Sequence, residues 1–66
     1  MNRVGQVWEF GGSDYIGLIV RSRDRAHDWL HDVVWLVQDN KPGLGDVYLT
    51  TETAFGVESH GTRRID

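Results

Sequence analysis

Nine residues near the middle of the chain, WLHDVVWLV from Trp29 to Val37, carry three valines and two tryptophans. That concentration of β-branched and aromatic side chains narrows the possible folds more than any other feature. A branched Cβ crowds the preceding turn of a helix and packs well on a pleated surface. Helical spacing competes with this signal: Ala26, Trp29, Leu30, Val33, Val34 and Val37 recur at helical intervals, with Ser22 or Asp24 in place to cap a first turn. Over residues 24–38 the pattern alone therefore permits a partly helical reading. Residue type decides for strand, because VVWLV reads as a segment buried on both faces. Residues 29–37 are predicted as a strand and residues 23–28 as a polar loop before it.

Turn signals divide the rest into short segments. Residues 4–10, VGQVWEF, are followed by Gly11-Gly12-Ser13-Asp14 and then by residues 15–21, YIGLIVR, which together predict a hairpin. Gly17 inside the second strand predicts a bulge or a close backbone approach. Residues 39–46, DNKPGLGD, form the clearest break, with Pro42-Gly43 favouring a turn. VYLTT at residues 47–51 is the next strand, residues 51–55 suit a single 3₁₀ turn ended by Gly56, and residues 57–58 and 62–65 are closing strands. The sum is an all-β chain, residues 1–66 as a single domain: a small antiparallel barrel of about five strands.

Composition limits the functions such a chain can have. Sixty-six residues bury only about 60% of the unfolded surface, which predicts modest stability. Without cysteine there is no disulfide, thiolate metal site or thiol nucleophile, which fits a reducing, cytoplasmic setting. The apolar runs are far too short to cross a bilayer, so no membrane partner is expected. Seven basic against ten acidic residues, net charge −3, weigh against general nucleic-acid binding.

Three groups of residues could carry chemistry. His27-Asp28-x-x-His31 is one methylene short of the zinc peptidase motif H-E-x-x-H. On a helix the two imidazoles would lie about 6 Å apart and need a third ligand such as His60; on a strand about 13 Å separates them. The strand prediction therefore leaves no metal site. Arg21, Arg23 and Arg25 project at period two, and Arg63 and Arg64 could join them in an anion site, unless Asp24, Asp28 and Asp32 neutralise the cluster. Among the aromatics, Trp8 and Trp35 have apolar neighbours and are assigned to the core. Trp29, set between two His-Asp pairs, is assigned to a partner-binding groove with Tyr15 and Tyr48. Ser13, Ser22 and Ser59 lack a G-x-S-x-G elbow, and Gly11-Gly12 lacks the Lys-Ser/Thr of a phosphate loop. No catalytic residue and no cofactor are expected.

The V-G-Q-V-W-E opening, the Y-x-G-L-I-V strand, the tryptophan-bearing strand, the P-G-x-G loop and the closing R-R-I resemble short SH3-like barrel proteins of actinobacteria and their phages. Gly5-Gln6-Val7-Trp8 and Thr62-Arg63-Arg64-Ile65-Asp66 also resemble the G-D-V-W opening and late R-T-I-D segment of MazF/PemK-like toxins. Those toxins are longer and carry an Arg-Pro before the second strand that this chain lacks, so RNA cleavage is not carried over. The resemblance implies an SH3-like barrel. With the residues above, it predicts a non-enzymatic module that binds a protein partner through Trp29, Tyr15, Tyr48, Arg21, Arg23 and Arg25. Nucleic acid is the alternative partner, and a sheet edge offers a route to homo-oligomers.

Overall fold

The computed structural model describes residues 1–56 and 61–66. The strands are β1 (Val7–Glu9), β2 (Ile16–Arg25), β3 (Asp28–Gln38), β4 (Lys41–Pro42), β5 (Val47–Thr51) and β6 (Arg63–Arg64), and a 3₁₀ turn (Glu52–Gly56) follows β5. All pairings are antiparallel, in the order β4-β3-β2-β1-β6, and β5 adds to β3. The chain is thus all-β and barrel-like, and the segment that competed for helix is strand from Asp28 to Gln38. No helix among the described residues is long and apolar enough to cross a membrane.

β3 organises the sheet. One edge pairs with β2 along its length; the other is shared, Leu30 to Val34 pairing with β5 and Val37–Gln38 with β4. The expected polar loop over residues 23–28 does not form. Its charges alternate instead of clustering, so Ser22 and Asp24 pair with His31 and Trp29 while Arg23 pairs with Leu30, and β2 runs on to Arg25. Only Ala26 and His27 remain to turn the chain, with Ala26 at φ 52°.

Two register shifts bend this hairpin, between Ile16 and Gly17 and between Ile19 and Arg21. The first coincides with the expected close approach: a Cβ on Gly17 would lie 2.2 Å from Cγ1 of Val33. The predicted turn at Pro42-Gly43 moves forward to Asp39 and Asn40, both left-handed (φ 53° and 60°), as a two-residue hairpin loop of the I′ kind requires. Pro42 then sits in an edge strand, where its missing N–H costs no ladder bond. Gly43 follows because a Cβ there would meet the Trp35 carbonyl oxygen at 2.0 Å.

β1 is shorter than residues 4–10, since Gly5 at φ 90° turns the chain and donates to the Ile19 carbonyl at 2.9 Å. β5 and the 3₁₀ turn form where expected. The closing strand of residues 62–65 narrows to Arg63–Arg64, and the candidate at 57–58 lies outside the described residues. The buried apolar core is Trp8, Ile19, Val33 and Phe55, with Phe10 and Trp35 packed against it. Trp8 is in the core as expected; Trp35 is only half-buried.

Candidate functional site

Strand alternation puts Trp29, His31, Val33 and Trp35 on one face of β3. The two-residue turn at Ala26-His27 fixes the register that sets Ser22 directly opposite His31. His31 is completely buried. Its Nδ1 lies 2.8 Å from Oγ of Ser22 and its Nε2 lies 2.6 Å from Oε2 of Glu52, the first residue of the 3₁₀ turn. Glu52 also accepts from the Arg3 guanidinium, whose Nε donates to Oε1 at 2.9 Å, and the Arg3 backbone N–H donates to Ser22 Oγ at 2.9 Å. Both ring nitrogens are satisfied in either protonation state, because the Ser22 hydroxyl can donate to a bare Nδ1 or accept from a protonated one. The Arg3 side chain lies over the rings of Trp8 and Phe55, 5.1 and 4.8 Å from their centroids, and Phe55 meets the His31 ring edge-on at 5.0 Å. The Arg3 hydrogen bond holds the Glu52 carboxyl below its ordinary 4.5; partial burial opposes this, and His31 adds to the lowering.

Serine, imidazole and carboxylate occur here in relay order, yet the arrangement is closed. Ser22 Oγ is already an acceptor for Arg3, the imidazole touches only protein, and the carboxylate is shared with a guanidinium. A relay that passes a proton to substrate needs one open end. This network joins the N-terminal turn, β2, β3 and the 3₁₀ turn.

The open surface lies elsewhere on the same face of the sheet. Trp35 contacts Tyr15 on one side and Tyr48 on the other, with ring centroids 5.4 and 5.5 Å apart, and Phe10 meets it edge-on at 5.4 Å. Tyr15 is 37% exposed and Tyr48 48%. The Trp35 ring thus bridges a tyrosine that immediately precedes β2 and a tyrosine of β5. Trp29 does not belong to this group. It is half-buried and stacked on His31 at 6.4 Å, six residues from Trp35, which is about 20 Å along a strand.

Tyr48 belongs to β5, which among the described residues pairs only with β3 and leaves its other edge open. The other short edges are defended: β4 is a Lys-Pro pair and β6 an Arg-Arg pair, both devices that discourage further pairing. β5, VYLTT, carries neither charge nor proline, and Val47, Tyr48 and Leu49 are 62%, 48% and 52% exposed.

Arg21, Arg23 and Arg25 lie on the arm of the β2–β3 hairpin, away from the tyrosines. Arg23 donates to Asp32 at 3.0 Å, so one aspartate does neutralise part of the cluster. Arg63 and Arg64 do not join it: β6 pairs with Trp8 and Glu9, whose β2 partners are Gly17 and Ile16, at the opposite end of that strand. Arg63 is bound to Glu9 and Arg64 to Asp66. His27 sits exposed in the hairpin turn and His31 in the core, so the helix that would make them a chelating pair is absent. His60 and Ser59 lie outside the described residues.

Sequence reasoning missed Arg3, Glu52 and the pairing of Ser22 with His31. The signal for His31 was available, since it shares parity with Trp29, Val33 and Trp35; the signal for Arg3 and Glu52 was not, because they are 49 residues apart. No family model, curated protein or solved structure matches the chain.

Proposed function

We propose that this chain is a non-enzymatic binding module that takes an extended segment of a protein partner along the open edge of β5, beside the Tyr15–Trp35–Tyr48 surface. The observation that carries this reading is the character of β5 itself. A five-residue strand without charge or proline, half-exposed at Val47, Tyr48 and Leu49, is the one undefended edge among the described strands. Peptides that add to a sheet edge gain affinity from main-chain hydrogen bonds and specificity from the side chains that flank the edge. The three aromatic rings supply such flanking contacts at low entropic cost, since each tyrosine has few rotatable bonds to fix.

Nucleic acid fits less well, because Arg23 is engaged by Asp32 and the chain carries net charge −3. Catalysis finds no support in the Ser22–His31–Glu52 array, whose polar atoms are spent on one another. Panning a library of random peptides displayed on phage, then measuring each selected peptide against wild type, Tyr48→Ala and Tyr15→Ala, tests the reading. Selected peptides are expected to lose about tenfold or more in affinity with Tyr48→Ala, as truncation of an aromatic anchor does. A library that yields no binder, or binders indifferent to both substitutions, overturns it.

A further inference from the structure

The charges around β5 specify what kind of segment fits there. Asp46 immediately precedes the strand and Asp14 immediately precedes Tyr15, so a carboxylate stands next to each end of the aromatic surface. The turn that carries Asp39 is tied to the same region, since the Asn40 N–H donates to the Asp14 carbonyl at 3.0 Å. Asp14, Asp39 and Asp46 are all exposed, and against these three carboxylates stands one ammonium group, that of Lys41. At the other end of β5 the Glu52 carboxylate is already taken by Arg3 and His31, so the free negative charge lies at the Asp46 end.

Resting on the peptide-binding reading above, we infer that the occupant of β5 is an extended segment with an apolar centre and lysine or arginine at the end that meets Asp46. The rings favour the same chemistry as the carboxylates, because a cation over the face of Trp35 or Tyr48 is attracted by the ring quadrupole. Opposite charges at that end of the strand speed encounter and fix register.

The test uses synthetic peptides with one common β-prone apolar centre, flanked by lysine, by serine or by glutamate, titrated by fluorescence anisotropy against wild type and Asp46→Lys. Asp46 is exposed and outside the strand, so its reversal leaves the fold intact. Lysine-flanked peptides are expected to bind about tenfold more tightly than glutamate-flanked ones, with the preference weakened by salt and reduced or inverted in Asp46→Lys. Serine-flanked peptides that bind as tightly as lysine-flanked ones, still sensitive to Tyr48→Ala, would overturn the charge assignment and leave the peptide reading standing. Binding by none of them, although library-selected peptides bind, likewise overturns this occupant. A dimer in sedimentation equilibrium that Tyr48→Ala dissolves would assign the edge to a second copy instead.

Discussion

Nε2 of His31 lies 2.6 Å from Oε2 of Glu52, and this bond joins the buried middle of β3 to the turn that delivers Phe55 into the core. Glu52 also holds Arg3, so one carboxylate anchors two segments that are distant in sequence. Glu52→Gln keeps the shape but weakens both charge-assisted bonds. Unfolding free energy is expected to fall by about 2 kcal/mol, less than for a fully enclosed pair because the carboxylate keeps 27% of its surface in water. For a domain of this size that lowers Tm by about 10 °C. Urea melts of the two proteins check it; a midpoint unchanged by the substitution would show that the network contributes nothing.

Stability should also depend on pH through this carboxylate. The Arg3 bond holds the folded Glu52 below the 4.5 of an unfolded glutamate. A depressed folded value means that the contribution is complete above pH 4.5 and is lost as pH falls through the lower, folded value. Asp66 acts in the same direction, held at about 2 by Arg64 against an ordinary 3.8, so its contribution fades between those values. The difference in stability between wild type and Glu52→Gln is expected to be greatest near neutral pH and to shrink in acid below pH 4.5. A difference that stays constant over that range, measured in an Asp66→Asn background, contradicts the assignment.

Gly17 is predicted to resist substitution because of Val33. A Cβ at position 17 would lie 2.2 Å from Val33 Cγ1, and Val33 is completely buried, with nowhere to retreat. Gly17→Ala should cost about 2 kcal/mol through overpacking, and Val33→Ala should cost about the same through an unfilled cavity. Combined, the two should cost clearly less than the sum, since the smaller side chain at 33 makes room for the methyl at 17. Additive effects in chemical denaturation would place the conflict somewhere other than this contact.

These contacts mark where the sequence could be read and where it could not. β-Branching over Trp29 to Val37, the glycine at 17 and the VYLTT strand reported local preferences that the fold obeys, so strands and the close approach were legible. The expected loop at residues 23–28 failed for a physical reason: polarity argues for solvent contact, and an exposed hairpin arm satisfies that as well as a loop does. Its alternation, arginines at odd positions with Ser22 and Asp24 between them, is that of a strand. At the site, Tyr15 and Tyr48 were grouped with Trp29, which stacks on His31 instead, whereas Trp35, assigned to the core by its apolar neighbours, proves to be the ring that joins them. That role follows from pairing Gly17 with Trp35 and Tyr48 with Val33, which no local pattern states. Arg3 and Glu52 meet only after the whole sheet has formed.

The Ala26-His27 turn offers a change in the stabilising direction. Ala26 adopts φ 52°, where an L side chain brings its Cβ against the following carbonyl oxygen at a cost of about 1 kcal/mol. Glycine has no Cβ to strain, and the residue is exposed. The gain is partly offset by the greater freedom glycine has in the unfolded chain. Ala26→Gly is therefore expected to raise stability by about 0.5 kcal/mol. Ala26→Asn, which tolerates the left-handed region without that added freedom, should do as well or better. The turn sets the register that places Ser22 opposite His31, so the benefit should appear mainly as faster folding if the hairpin forms early and as slower unfolding if it forms late. Stopped-flow chevrons for the two variants separate these cases, and a lowered stability in both would mean that the left-handed turn is not what holds β2 and β3 in register.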